Sequence, residues 1–303
     1  RREGQMNSIR MNPLPSGPAA SGEISPVLLP SRDGHYGKRA ARLRQLAVGH
    51  PLADYLDFVA GLVESQELLL KHRPLPAEVL ATLPALPGSE GAPLDCQRHV
   101  RHRHWLVLLR GLGDTIEHPA LEELLLEPDW RLEAYADSLL RGDFHEVHSG
   151  QALFVWAALS LYFSQLAAHL PATGQARGEA RQYCPVCASA PVASSILSGP
   201  QAGLRYLHCG LCESRWHMVR LKCSNCEATG ALDYWSLEHA KAAVKAESCG
   251  ECRSYLKVFY PEHERELEVL ADDLASLGLD AEVEREGFGR SGVSPFLFPG
   301  QDD

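Results

Sequence analysis

Tyr183-Cys184-Pro185-Val186-Cys187, Cys209-Gly210-Leu211-Cys212, Cys223-Ser224-Asn225-Cys226 and Cys249-Gly250-Glu251-Cys252 carry one local pattern, C-x2-C, four times within residues 183–252. They hold eight of the nine cysteines in the chain. Two cysteines at this spacing present both thiolates to one tetrahedral ion from a single tight turn, and two such pairs complete a four-sulfur site. Four pairs therefore predict two metal ions, with no thiol of the region left over.

The pairs also repeat as a unit. Cys184/Cys187 maps onto Cys223/Cys226, and Cys209/Cys212 onto Cys249/Cys252, as in a duplicated knuckle, spacer and knuckle. The order predicts two tandem rubredoxin-like or zinc-ribbon-like modules, Cys184/Cys187 with Cys209/Cys212 and Cys223/Cys226 with Cys249/Cys252. Spacing alone leaves a cross-braced pairing open. The exits Trp216–Val219 and Tyr255–Phe259 read as strands.

A disulfide framework is the competing reading. Disulfides belong to oxidising compartments and to small domains short of core, whereas this chain has 303 residues and shows no secretory signal. A thioredoxin-type redox pair occurs once, at a helix N-terminus, rather than four times between strand-like runs. Metal binding is the better fit.

Composition bounds the rest. At 45% hydrophobic, the chain can bury one large core or two smaller ones. A formal net charge of -10 disfavours a nucleic-acid surface, although tandem ribbons otherwise suggest a nucleic-acid-binding ribbon protein. Residues 181–260 are mildly basic, and part of that charge, such as Arg220, Lys222 and Arg253, is expected to balance thiolates. Residues 261–303 are strongly acidic; Glu262, Glu264, Glu266, Glu268, Asp272 and Asp273 read as a solvated face, on a helix marked by Leu267, Leu270, Leu274 and Leu277. Ala152–Leu170 is the most apolar stretch, but Ser160, Ser164 and Gln165 interrupt it, so it reads as a buried helix and no membrane insertion is expected. A cytoplasmic location with reduced thiols follows.

The expected fold class is α+β. Residues 1–30, with five prolines, read as a flexible lead; 31–170 as a helical domain; 171–182 as a linker; 183–221 and 222–260 as the metal modules; and 261–303 as the acidic helix and tail. Within the helical part, periodicity predicts helices over Lys38–Val48, Leu52–Leu70, His104–Leu112, Pro119–Leu126, Asp129–Arg141 and Ser149–Leu170, with a proline-rich connection from Pro74 to Leu94 that holds at most one short helix near Glu78–Leu83. In the first helix Leu43, Leu46 and Ala47 form the apolar stripe, opposed by Arg39, Arg42 and Arg44.

Other candidate sites are thin. Cys96, His99, His102 and His104 lie close together, but Arg98, Arg101 and Arg103 between them would repel a cation, so the segment reads as a solvated basic helix entry. His208 and His217 flank a knuckle and read as structural. Trp216, Tyr234 and Trp235 read as minimal core more readily than as partner-binding aromatics. No phosphate loop, H-E-x-x-H motif or assignable nucleophile commits the chain to catalysis.

The knuckles, with Leu204–Cys209, Lys222–Glu227, Tyr234–Leu237, Lys245–Cys249, Phe154–Tyr162 and the terminal run Ser294-Pro295-Phe296-Leu297-Phe298-Pro299-Gly300, resemble the formate dehydrogenase accessory protein FdhE family from about Arg42 to Gly300. All eight cysteines of the family pattern are present. The resemblance implies a cytoplasmic, non-enzymatic assembly factor that binds the catalytic subunit of respiratory formate dehydrogenase. It also implies two iron ions, one at each four-cysteine site, where spacing had left zinc as the alternative. A redox or sulfur-handling catalyst in cofactor insertion is the runner-up, and homodimerisation is left open.

Overall fold

The computed structural model describes residues 7–9, 24–83, 91–171, 182–237 and 241–300. Helices fill the first half: α1 (Tyr36–Ala47), α2 (Ala53–His72), the single turn α3 (Ala77–Leu80), α4 (His104–Leu112), α5 (Pro119–Leu126), α6 (Asp129–Arg141) and α7 (Ser149–Ala168). Their starts and stops follow local chemistry. Pro119 opens α5, where its missing N–H costs nothing, and His118 accepts from Ala120 N. Gly142 ends α6 in the left-handed region at φ 84°.

The organising element is α7. Every residue from Ala152 to Ala167 is buried, as expected of a helix that is apolar all round. By length and composition it could cross a membrane, yet 89% of its apolar window is buried inside the protein. The three polar residues that interrupt its sequence each hold a neighbour. Ser160 Oγ donates to Leu211 O, Ser164 Oγ pairs with Tyr36 Oη, and Gln165 Oε1 accepts from Leu75 N.

The second half is one sheet. After β1 (Asn7–Ile9) and β2 (Val27–Leu28), its strands are β3 (Pro191–Ile196), β4 (Arg205–Cys209), β5 (Arg215–His217), β6 (Leu232–Ser236), β7 (Val244–Cys249), β8 (Ser254–Phe259) and β9 (Gly289–Arg290). Each half of the repeat forms an antiparallel meander, β3-β4-β5 and β6-β7-β8. Parallel pairing of β3 with β8, at Ser194↔Val258 and Ser195↔Phe259, fuses the two meanders. The order is β1-β6-β7-β8-β3-β4-β5-β2, with β9 beside β8. Two pieces of the lead read as flexible are thus strands: β1 lies along β6 and β2 along β5, where they cover both outer edges. Val27 is 5% exposed, and Tyr206 Oη donates to Ser25 O. Most of the expected linker lies outside the described residues.

After the sheet come α8 (Val269–Ala275), α9 (Leu277–Arg285) and a return of residues 296–300 to the helices. Tyr55 Oη donates to Phe296 O, His145 Nδ1 meets Gly300 O, and the Phe298 ring lies 5.5 Å from that of Trp156. One apolar core consequently runs from Leu43, Trp105 and Phe154 in the helices to Val192, Leu207 and Trp216 in the first meander. The second meander shares little of it. Ala246 and Tyr255 pack instead with Leu279, Val283 and Phe288 in a small core of their own.

Several charges expected on the surface are inside. Arg39 and Arg42 are 4% and 7% exposed, so two of the three arginines expected opposite the apolar stripe of α1 are buried, while Arg44 stays at the surface. Asp272 and Asp273, at 6% and 0%, leave the acidic stretch for the interior, whereas Glu262 and Glu266 remain exposed. Burial is tolerable because the charges meet each other. Arg42 grips Asp272 through two bonds of 2.7 and 2.9 Å. Asp273 stands 2.9 Å from Lys257 Nζ and 2.7 Å from Arg290 Nη2.

Candidate metal centres

Each C-x2-C pair sits where the chain reverses beside a strand. The residue after the second cysteine takes a left-handed conformation in all four knuckles: Ala188 at φ 62°, Glu213 at 62°, Glu227 at 66° and Arg253 at 57°. This turn lets the chain fold back, so that Cys184 N donates to Ser189 O, Cys209 N to Ser214 O and Cys223 N to Ala228 O. It also aims backbone N–H groups at sulfur. Leu211 N and Cys212 N donate to Cys209 Sγ at 3.4 and 3.3 Å, and Asn225 N donates to Cys223 Sγ at 3.4 Å.

Pairing of adjacent strands brings the knuckles together in sequential order. Cys184, Cys187, Cys209 and Cys212 form one cluster and Cys223, Cys226, Cys249 and Cys252 the other, with all four sulfurs of each within 4.8 Å of one another. The cross-braced alternative does not occur. Sulfur separations are 3.6 Å for Cys184–Cys212, 3.4 Å for Cys187–Cys209, 3.8 Å for Cys223–Cys252 and 3.6 Å for Cys226–Cys249. A disulfide would hold its sulfurs at about 2.05 Å. Four thiolates about 2.3 Å from one ion stand about 3.8 Å apart at the tetrahedral angle, so both clusters fit a four-sulfur ion.

The electrostatics ask for a cation. Burial pushes the Cys184 and Cys187 thiols well above the usual range, and four neighbouring thiols cannot all ionise without positive charge among them. In the second cluster the burial that raises Cys252 is outweighed by the Ser254 hydroxyl and the Asn225 amide, which bring it down to about 6. Each cluster also places a serine two residues past its last cysteine, Ser214 at 3.2 Å from Cys212 Sγ and Ser254 at 3.0 Å from Cys252 Sγ. The side chains expected to balance the thiolates are partly engaged elsewhere. Lys222 pairs with Glu227, while Arg253 donates to Glu286 O and Gly287 O and lies 4.0 Å over the Phe288 ring.

The first cluster is clamped by the helical half. Residues 94–96 lie against its first knuckle, with Leu94 N donating to Val186 O and Cys96 N to Cys187 O, both at 2.8 Å. Trp156 Nε1 and Ser160 Oγ reach its second knuckle at Gly210 O and Leu211 O, both at 2.9 Å. Glu213, next to Cys212, lies 2.6 Å from Arg39 Nη1 and 2.6 Å from His35 Nε2, and Arg39 also reaches Glu268 at 3.1 Å. Burial raises the Glu213 carboxyl, but Arg39 and His35 overcome it and bring it down to about 2. The sequence reading missed these contacts, although one signal was present. Arg39 falls in the helical stripe of Tyr36, Ala40, Leu43 and Ala47, a position that a surface arginine has no reason to occupy.

The remaining candidates are structural. Among the described residues, no further cluster of metal-ligating groups joins the two. Cys96 and His104 are 2% and 7% exposed, which corrects the expected solvated helix entry for these two residues, whereas Arg98 and Arg103 remain exposed. Burial pushes the Cys96 thiol up to about 12, His104 Nε2 bonds to Arg73 O, and His99 Nε2 pairs with Tyr162 Oη. His208 bonds to Ser195 Oγ at 2.8 Å, and burial brings its imidazole down to about 3. Trp216 is core at 2% exposure; Tyr234 and Trp235 bond to Glu247 and Ser248.

Comparison with known proteins gives a consistent result. Three family models match consecutively: FdhE, N-terminal, over residues 24–179; FdhE, central domain, over 183–220; and FdhE, C-terminal domain, over 221–297. A protein FdhE homolog of Yersinia pestis (strain Pestoides F) is 50% identical over 289 residues, covering 93% of this chain and 94% of its own. Its counterpart from Yersinia enterocolitica is 48% identical with the same coverage. The crystal structure of the FdhE protein from Pseudomonas aeruginosa matches with a TM-score of 0.77 at 38% identity, covering 90% of this chain and 99% of that one.

Proposed function

The chain belongs to the FdhE family, and from that premise we propose that it is a cytoplasmic accessory protein in the maturation of respiratory formate dehydrogenase, which binds the catalytic subunit and carries iron at its two four-cysteine sites. The observation that carries this reading is the pair of four-sulfur clusters. An ion held by four thiolates has no vacant position at which to activate water or substrate, which favours a binding or electron-storing role over hydrolytic chemistry. When bound, iron in such a set supplies a one-electron couple, whereas zinc supplies only structure. The choice of iron follows the family resemblance; the sulfur spacing suits either ion.

The partner claim is tested by co-purification with a formate dehydrogenase catalytic subunit under reducing, low-salt conditions. Specific retention is expected, and its absence would count against the assembly role. Elemental analysis with a visible spectrum, on protein purified without air or added metal, tests the ion. About two irons per chain, with sulfur-to-iron absorption after oxidation, are expected. Two zincs in a colourless protein would remove the electron-storing role. A second reading, a redox or sulfur-handling catalyst, is favoured by the surface position of Cys226. It requires reversible spectral changes that disappear in Cys223→Ser or Cys226→Ser.

A further inference from the structure

The two clusters have the same ligand chemistry and opposite surroundings. In the first, Cys184, Cys187, Cys209 and Cys212 are at most 2% exposed. In the second, Cys226 lies at the surface and Cys252 is half-buried, while Cys223 and Cys249 are covered. Their supports differ in the same sense. Bonds from α7, from residues 94–96 and from Arg39 on α1 converge on the first cluster, so opening it would strain or break the bonds that tie it to the helical half. The second is held by other neighbours, within its own module by Gly250 N to Ala231 O at 2.7 Å, from the first module by Arg205 Nη1 to Lys222 O at 2.9 Å, and from the residue before that module by Gln182 to Asn225 O. Its core is the small one shared with α9.

Both clusters share one cysteine pattern, so the asymmetry arises from what packs on them. At the left-handed position after the last cysteine, the first repeat carries Glu213, drawn inward by Arg39 and His35. The second carries Arg253, held at the surface by Glu286 O and the Phe288 ring. We propose that the second cluster is the exchangeable centre of the protein, whose ion is open to an external thiolate on the Cys226 side, and that the first is a closed structural joint. In the exchange the incoming sulfur bonds to the ion as the bond from Cys226 breaks. The ion keeps its charge and its four sulfurs, no electrons move, and the proton lost by the incoming thiol ends on Cys226. The exposed Asn225, whose amide lies 3.6 Å from Cys252 Sγ, borders the path of approach.

The inference rests on the reading that both clusters hold an ion, so metal content is measured first on the full zinc-loaded chain. Fewer than two equivalents would sink that reading and this one together; two equivalents leave the kinetics to judge the inference alone. Challenge with the chromogenic chelator 4-(2-pyridylazo)resorcinol should release zinc in two phases of one equivalent each, at least about tenfold apart in rate, because several buried hydrogen bonds guard only one site. Free cysteine, or an unstructured cysteine-containing peptide at equal thiol concentration, should accelerate the fast phase alone. Acceleration by free cysteine identifies a small thiol as sufficient, acceleration by the peptide alone identifies a polypeptide ligand, and acceleration by neither overturns the exchange. Iodoacetamide pulses on the loaded protein, read by peptide mass spectrometry, should mark Cys226 and Cys252 before any cysteine of the first cluster. Trp156→Phe, which removes one clamp, should speed only the slow phase. A single release phase, or first-cluster cysteines labelled as early as Cys226, would overturn the proposal without any variant having to fold.

Discussion

Replacing Arg39 with methionine isolates the charge that joins the helices to the first metal centre. The guanidinium is 4% exposed, donates to Glu213 at 2.6 Å and to Glu268 at 3.1 Å, and lies 5.8 Å from the Tyr36 ring centroid. Methionine approximates its stem but strands two carboxylates whose side chains are 5% and 11% exposed. Removing one partner of a buried pair costs about 3–5 kcal/mol, and the lower part of that range is expected because two acids lose Arg39 while Glu213 keeps His35 Nε2 at 2.6 Å. Glu213→Gln is expected to cost less, about 1–3 kcal/mol, since Arg39 keeps Glu268 and the amide can still accept its bond. The double variant Arg39→Met/Glu213→Leu should recover part of the single loss, because the Glu213 carboxylate is then gone and only Glu268, which still accepts from Ala271 N, lacks its cation. The assay is urea unfolding of zinc-loaded protein at pH 7, followed by helical circular dichroism. A loss below about 1 kcal/mol for Arg39→Met, the range of a solvent-screened pair, would refute the reasoning. So would a larger loss for Glu213→Gln than for Arg39→Met.

Three further outcomes are expected. Ala188→Gly removes a side chain from the left-handed region and should raise stability by up to about 1 kcal/mol, the strain relieved less the entropy of glycine, measured as a shift in urea midpoint at constant slope. Burial raises the Asp273 carboxyl, but Lys257 and Arg290 hold it below the usual range, so its contribution is complete above the unfolded value of about 3.9 and is lost as pH falls through the lower folded value. The stability gap between wild type and Asp273→Asn should therefore be constant from neutral pH down to about 4 and shrink below it; a gap that widens in acid would contradict the assignment. Stripping both ions with a chelator should raise amide exchange at the knuckles of the second cluster, whose own core is small, while α7 stays protected by the main core. Equal loss of protection in α7 would show that the helical half depends on metal for its fold.

The sequence by itself determined what local chemistry determines. Four C-x2-C pairs named the eight sulfurs, since a knuckle must place two thiolates within one turn of chain. The three- and four-residue recurrence of apolar residues marked α2 and α4 to α7 to within about one turn, because that period belongs to the helix itself. Ser160, Ser164 and Gln165 could likewise be read as marks of a core helix, although not for the bonds they make. What only the tertiary structure decided was where charge goes and how the repeats differ. Arg39 meets Glu213 across 174 residues and Glu268 across 229, and Arg42 meets Asp272 across 230. Each residue taken alone looks like a surface ion, and only the partner's arrival makes its burial tolerable. The same holds for the lead, whose strands β1 and β2 are too short to declare themselves without the sheet edges they cover. Two clusters with one pattern became a closed joint and an open site because the helices pack on the first and leave Cys226 of the second at the surface, and no spacing of cysteines encodes that contact.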